Sequence, residues 1–246
     1  MKKTFLCQIE NSFLDLLFPI KCIGCGLEKK FICNDCLKKI PLKSLQNCPV
    51  CERAITLNGE VCKTCKNSSS FPLKGLFVAS DYKDPLLSKA IHLYKYKFAH
   101  ELVFSLGQIL EKALSRHGGP APDVIIPIPL HKRRLRWRGF NQAFLLAQHL
   151  SENLLPHMTI PIQNELVVRS RYAGSQMKVK DYTARFQNVS GAFQINDEAN
   201  SFVLKKKNVL LVDDICTTGA TLSECAKQLQ KLHPKSISAI VLARQN

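Results

Sequence analysis

The chain lacks any apolar run of the roughly 18 to 20 residues that a bilayer-spanning helix needs, which argues against a helical membrane protein, and no membrane insertion is expected. It also lacks an uninterrupted apolar stretch at its start. MKKTFLCQIENSFLDLLFP opens on two lysines as an export signal does, but Gln8, Glu10, Asn11 and Asp15 break the run that such a signal requires. The element expected there is a short amphipathic helix in a cytoplasmic protein. Acidic residues are few, 19 against 35 Lys and Arg, leaving a formal charge of +16. With 46% hydrophobic and 22% charged residues, the composition excludes a disordered chain. The positive field suits polyanions, either a phosphorylated small molecule or nucleic acid. Charge serving only solubility is the plainer alternative.

Cysteine is abundant and strongly patterned. Eight of the eleven cysteines form four C-x-x-C pairs, Cys22/Cys25, Cys33/Cys36, Cys48/Cys51 and Cys62/Cys65, separated by 7, 11 and 10 residues. A C-x-x-C turn aims two thiolates at one metal, and two such turns complete a tetrahedral zinc site. Gly24 and Gly26 suit the tight turn in CIGCG, and Pro49 fixes the entry of CPVCE. A disulfide framework would need an oxidising compartment, against which the missing export signal argues. Four pairs can be divided between two sites in three ways. Loop closure favours sequence neighbours, giving Cys22/25/33/36 and Cys48/51/62/65 as two structural zinc sites. Four thiolates per ion leave no open position for water, so catalytic zinc is not expected. Cys7, Cys216 and Cys225 stand outside the pairs and are expected to be packing residues. Two four-thiolate zinc sites would cut the net charge to about +12 and shift the positive field towards the C-terminal part.

The polar stretch NSSSFP, residues 67–72, reads as a linker. Two domains are expected, 1–70 with the N-terminal helix and paired zinc ribbons, and 71–246. From Lys74 onward apolar strands alternate with helical spacing: a strand at 75–80, helices near 85–95 and 99–116, and a strand at 123–128. A helix carrying Phe140, Ala143, Phe144, Ala147, Leu150 and Leu154 follows, then a strand around 162–168. Alternation of this kind predicts an α/β fold with a parallel sheet flanked by helices. Residues 170–190 have no periodicity and carry Arg171, Gly174, Lys178, Lys180 and Arg185. They read as a long basic loop, either a lid or a locally disordered segment.

The segment VLLVDDICTTGAT, residues 209–221, is a buried parallel strand that ends in Asp213 and Asp214 and passes at once into a helix. Its turn falls at the C-terminal sheet edge and a helix N-terminus, where open α/β sheets bind ligands. Thr217, Thr218, Gly219, Ala220 and Thr221 are small enough to wrap a phosphate, with hydroxyls and free amides as donors. Two adjacent acids at a buried strand end call for a partner, such as a vicinal diol or a hydrated Mg²⁺. A basic run at the same edge, His131, Lys132, Arg133, Arg134, Arg136 and Arg138, is a candidate site for pyrophosphate or DNA, as are Arg169 and Arg171. Trp137 inside that run suits base stacking, although ordinary packing is the favoured expectation.

Residues 209–221 resemble the ribose-phosphate signature of type I phosphoribosyltransferases, apolar residues followed by D-D, two residues and T-T/S-G-x-T. The resemblance implies that Asp213 and Asp214 contact the ribose hydroxyls and that residues 217–221 hold the 5-phosphate of phosphoribosyl pyrophosphate, with Mg²⁺. Cys216 departs from the β-branched residue or alanine expected in mid-signature and reads as a substitution by size. Together with the C-x-x-C ribbons, P-I-P-L, R-G-F-N-Q-A and the 169–193 stretch ending in A-R-F-x-N-V-x-x-A-F, the chain resembles the ComF family of competence proteins. That resemblance implies a role in DNA uptake during natural transformation, handling of incoming single-stranded DNA, and a partner helicase. An active phosphoribosyltransferase of nucleotide or related metabolism is the alternative. It would pass the ribose C1 from pyrophosphate to a nitrogen nucleophile, with no general base evident in the sequence.

Overall fold

The computed structural model describes residues 20–68, 71–96, 99–116, 121–171, 189–196 and 204–245. The expected N-terminal helix, Cys7 and loop residues 172–188 with Gly174, Lys178, Lys180 and Arg185 lie outside them. The first described part contains helix α1 (Asn34–Lys39), strands β1 (Gln46–Asn47) and β2 (Ile55–Thr56), and helix α2 (Lys63–Ser68). Its shape follows the cysteines. Two groups of four sulfurs form, Cys22/Cys25/Cys33/Cys36 and Cys48/Cys51/Cys62/Cys65, each within 4.8 Å. The separations of 3.6 Å between Cys25 and Cys33 and 3.9 Å between Cys51 and Cys62 fit the edge of about 3.8 Å that tetrahedral zinc–thiolate bonding sets. Both clusters could hold a structural zinc ion.

The backbone supports that chemistry. The Cys33 amide donates to Cys22 Sγ at 3.3 Å, and the Cys62 amide donates to Cys48 Sγ at 3.4 Å. Burial pushes the Cys22 thiol up, but the Cys33, Gly24 and Cys25 amides outweigh it and leave it at about 6. The amides of Ala54 and Arg53 likewise bring Cys51 to about 6. Each cluster therefore holds a thiolate at neutral pH to begin metal capture. Gly26 takes φ +80, and a Cβ on Gly24 would lie 2.8 Å from Cys36 Sγ, so the tight first turn needs both glycines.

The stretch read as a linker begins inside α2, which runs to Ser68. Strand β3 (Gly75–Asp81) is followed by helices α3 (Pro85–Tyr96) and α4 (Ala99–Arg116), then strand β4 (Val124–Pro127). Helices α5 (Lys132–Arg138) and α6 (Gln142–Asn153) come next, then strands β5 (Val167–Arg169) and β6 (Phe193–Ile195). Strand β7 (Asn208–Cys216), helix α7 (Ala220–Gln230) and strand β8 (Ser236–Arg244) complete the described elements. The main sheet has the order β3-β8-β7-β4, with every neighbouring pair parallel. Side chains alternate between its faces. Ile125, Leu210, Val212, Ile240 and Leu242 pack in one core with residues of α3, α4 and α6. Val124, Ile126, Leu211, Ala239 and Val241 pack in the other, with α7 and the β5–β6 pair. Cys216 and Cys225 are buried in this second core, as packing residues should be.

Two local expectations are corrected. The helix expected from Phe140 begins at Gln142, because Gly139 (φ 84) ends α5 and Asn141 caps α6, its Oδ1 accepting from the Ala143 amide at 3.1 Å. Phe140 lies between the helices, its ring 6.2 Å from that of Tyr94. The strand expected around 162–168 is only one parallel bridge from Ile162 to Ile125, and β5 pairs antiparallel with β6 outside the main sheet.

Strand β3 is an edge strand, and an uncovered edge is a site for unwanted pairing. The cysteine-bearing part covers it. Leu42 bridges Ser80, and the Lys43 amide donates to the Ala79 carbonyl at 2.9 Å. Buried Gln46 serves as a surrogate strand, its Nε2 donating to the Val78 carbonyl and its Oε1 accepting from the Val78 amide. Metal analysis of the purified protein should find about two zinc ions per chain, four thiolates closing each site. Chelation should lower its melting temperature, and a stably folded chain retaining one zinc or none would contradict this reading.

Candidate functional site

The C-terminal ends of β4 and β7 open into a cleft of about 480 Å³. Asp213 and Asp214 line it, because they follow the continuously buried run Val209–Val212 near the C-terminal end of β7. Asp214 is 4% exposed and has partners from two helices. Lys95 Nζ of α3 lies 3.2 Å from its Oδ2, and Gln142 Nε2 of α6 donates to the same oxygen at 3.4 Å. Gln142 is held in turn by Tyr94, whose hydroxyl donates to the Gln142 carbonyl at 2.7 Å. The capped start of α6 thus aims Gln142 at the acid. Gln142 Oε1 is buried with no hydrogen-bond partner among the described residues, a polar atom open to a ligand or water.

Asp213 is half-buried, and its Oδ1 accepts from the Asp214 amide at 2.8 Å. Burial and the neighbouring Asp214 carboxylate hold its carboxyl well above the usual range. Beyond the pair, Gly219 takes φ 83 as the N-cap of α7, a left-handed conformation that a side chain would strain. Thr217, Gly219, Ala220 and Thr221 line the cleft. Thr218 is buried instead, its Oγ1 accepting from the Ala220 amide at 3.4 Å. The backbone amides at the start of α7 and its dipole make this loop suited to an anion.

The basic run divides. Arg133, Arg134 and Arg138 line the cleft with Trp137, and Arg169 reaches it from β5, its guanidinium 5.3 Å from the centre of the Phe193 ring. His131, Lys132, Arg136 and Arg171 lie outside the lining. His131 caps α5, its Nδ1 accepting from the Arg133 amide at 3.2 Å. Trp137 is 70% exposed, which overturns the expectation of ordinary packing. It stands on a seven-residue helix that has no buried residue, and its indole lines the cleft.

Lys95 and Gln142 are site residues that the sequence did not disclose. Lys95 sits in an ordinary amphipathic helix as one of 35 Lys and Arg residues, and nothing in its neighbours marks it. Gln142 had a signal, its place in R-G-F-N-Q-A after a capping asparagine.

A parallel sheet bearing a small-residue loop and an acid pair at its C-terminal edge defines a phosphoribosyltransferase-type α/β domain, and the family model "Phosphoribosyl transferase domain" matches residues 141–246. The chain is 33% identical over 240 residues to competence protein F of Haemophilus influenzae, covering 92% of this chain and 98% of that protein. It is 28% identical over 230 residues to DNA utilization protein YhgH of Escherichia coli K12, covering 87% and 96%. Competence protein ComFC of Bacillus subtilis is 27% identical over 219 residues, covering 87% and 84%. The chain belongs to the competence protein F (ComF) family. Among the described residues, no helix is long and apolar enough to cross a membrane.

The acid pair gives substitutions of opposite sign. Asp213→Asn removes a carboxylate whose ionisation burial and Asp214 oppose, so it should raise the melting temperature by ~2–4 °C for each kcal/mol gained. The folded carboxyl titrates above its unfolded value of about 4, so ionising it costs stability as pH rises from there. The gain should therefore be smallest at the acid end of the range, vanish only below about pH 4, and grow towards pH 8. Asp214→Asn should melt lower, since it strips Lys95 of its counter-charge. Calorimetry across pH 5 to 8 checks both, and an Asp213→Asn variant no more stable than wild type would contradict the account.

Proposed function

We propose that this chain binds phosphoribosyl pyrophosphate with Mg²⁺ in the β7 cleft and acts in DNA uptake during natural transformation, handling incoming single-stranded DNA. One juxtaposition carries the ligand reading: the Asp213–Asp214 pair beside the Gly219 loop, beneath a rim lined by Arg133, Arg134, Arg138 and Arg169. In this reading the acids take the ribose 2- and 3-hydroxyls and Mg²⁺, and buried Gln142 Oε1 accepts a hydroxyl or a metal-bound water. The loop amides and the hydroxyls of Thr217 and Thr221 take the 5-phosphate, and the arginines face the pyrophosphate. The competence role is supported by the relatives named competence protein F and ComFC, and it brings a partner helicase with it. Exposed Trp137 among arginines supports the DNA reading, since an indole flanked by guanidinium groups suits a stacked base and its phosphates.

A second reading is an active transferase, in which the C1–oxygen bond to pyrophosphate breaks as a nitrogen nucleophile bonds to C1. The enclosed acid pair favours it, because preorganised charge stabilises an oxocarbenium-like transition state. Pyrophosphate release across a panel of bases and amines measures this directly.

Calorimetric titration with phosphoribosyl pyrophosphate and Mg²⁺ should give saturable binding that Asp213→Asn and Asp214→Asn weaken by about tenfold or more, the equivalent of 1.4 kcal/mol. Absence of binding by wild type would overturn the ligand reading. Single-stranded DNA binding should fall steeply with salt, its logarithmic slope shrinking by about 0.7 for each phosphate that is no longer neutralised. Replacing Arg133, Arg134 and Arg136 together by uncharged residues should flatten it, and salt-independent binding or none would remove the DNA reading.

A further inference from the structure

Arg244 closes β8 beside the end of β7, in register with Cys216, and its side chain is only 9% exposed. Its guanidinium has acceptors on two sides. Nε donates to the Thr217 carbonyl at 3.0 Å, within the candidate phosphate loop. Nη1 and Nη2 both donate to the Pro49 carbonyl at 3.1 Å, and Nη2 reaches Glu52 Oε1 at 2.6 Å. Pro49 lies between Cys48 and Cys51, and Glu52 follows directly, with its amide bound to the Cys48 carbonyl at 2.9 Å. One buried side chain therefore joins the second cysteine turn to the loop.

The loop has a second support from the same direction. Phe71 packs against the second cysteine cluster, and its ring comes within 3.8 Å of where a Cβ on Gly219 would lie. An exposed Arg–Glu pair contributes little to stability. Here the guanidinium is buried and also bonds two carbonyls whose orientations matter. A trans peptide points its C=O and N–H in opposite directions, so holding the Thr217 carbonyl on Arg244 turns the Thr218 amide away from it.

We propose that Arg244 is a positioning residue that couples the Cys48/Cys51/Cys62/Cys65 cluster to the phosphate loop, so that zinc in that cluster and a phosphorylated ligand in the loop stabilise each other. This rests on the reading that residues 217–221 take a ribose 5-phosphate. Coupling is reciprocal: whatever the metal does for the ligand, the ligand does for the metal. The two metal sites should respond differently. Cys22, Cys33 and Cys36 pack instead in the core shared with α3 and α4, which makes the first cluster an internal control.

The test uses the full zinc-loaded chain, with phosphoribosyl pyrophosphate and Mg²⁺ as the probe. In wild type the ligand should slow zinc loss to a chromogenic chelator for one of the two ions only. Arg244→Gln should keep both ions, weaken ligand binding by about 5- to 20-fold, within the usual range of coupling between sites, and abolish that selective protection. Arg244→Lys, which keeps the charge and one donor group, should restore part of both. If Arg244→Gln fails to fold, Glu52→Gln carries the same comparison from the other end of the link. Binding by wild type that the folded variant matches, or equal protection of both ions, overturns the coupling alone. No binding by wild type overturns the ligand reading and the coupling with it.

Discussion

Two adjacent carboxyl groups at the end of a buried strand are the constraint around which the rest of this molecule is arranged. An unpaired charge in such a place is costly, and a carboxyl there either finds cations and donors or gives up its charge. Asp214 follows the first course through Lys95 and Gln142, while burial and the Asp214 carboxylate hold the Asp213 carboxyl above the ordinary range. The surrounding structure serves this arrangement. Gly139 stops one helix so that Asn141 can start another at the right place, and Tyr94 holds the Gln142 backbone while the Gln142 side chain meets the acid. A site built at such expense to the folded state points to a ligand that repays it when bound.

The cysteine-bearing part is joined to this machinery. It covers the open edge of β3 with a surrogate strand built from Leu42, Lys43 and Gln46, and it reaches the 217–221 loop through Arg244 and Phe71. With zinc in both clusters, metal binding would fix the shape of this short segment with few core residues of its own, since binding free energy becomes folding free energy. Such a segment can present backbone and polar groups to a neighbour at fixed distances. The chain thereby secures a sheet edge and the loop at the start of α7 with the same cysteine-bearing part.

The most legible parts of the sequence were those whose physics is local. C-x-x-C spacing put the sulfurs together, the apolar run of residues 209–212 announced a strand buried on both faces, and Gly219 marked the turn into α7. Contacts between distant segments were not legible. Lys95 is 119 positions from Asp214, and no periodicity relates them. Trp137 was misjudged because a tryptophan is usually covered, whereas here it stands exposed on the short helix α5. The basic run looked uniform in sequence, yet helix geometry turns Arg133, Arg134 and Arg138 to the cleft and leaves Lys132 and Arg136 outside its lining.

The central claim is that the end of β7 and the start of α7 form one ribose-phosphate site. The most direct measurement is the backbone amide spectrum of the labelled protein during titration with ribose 5-phosphate. The account expects saturable shifts concentrated at residues 213–222, largest at the amides of Gly219, Ala220 and Thr221, with smaller ones at Gln142. Shifts confined to the exposed arginines of α5, or no saturable shifts in the 213–222 segment, would contradict it.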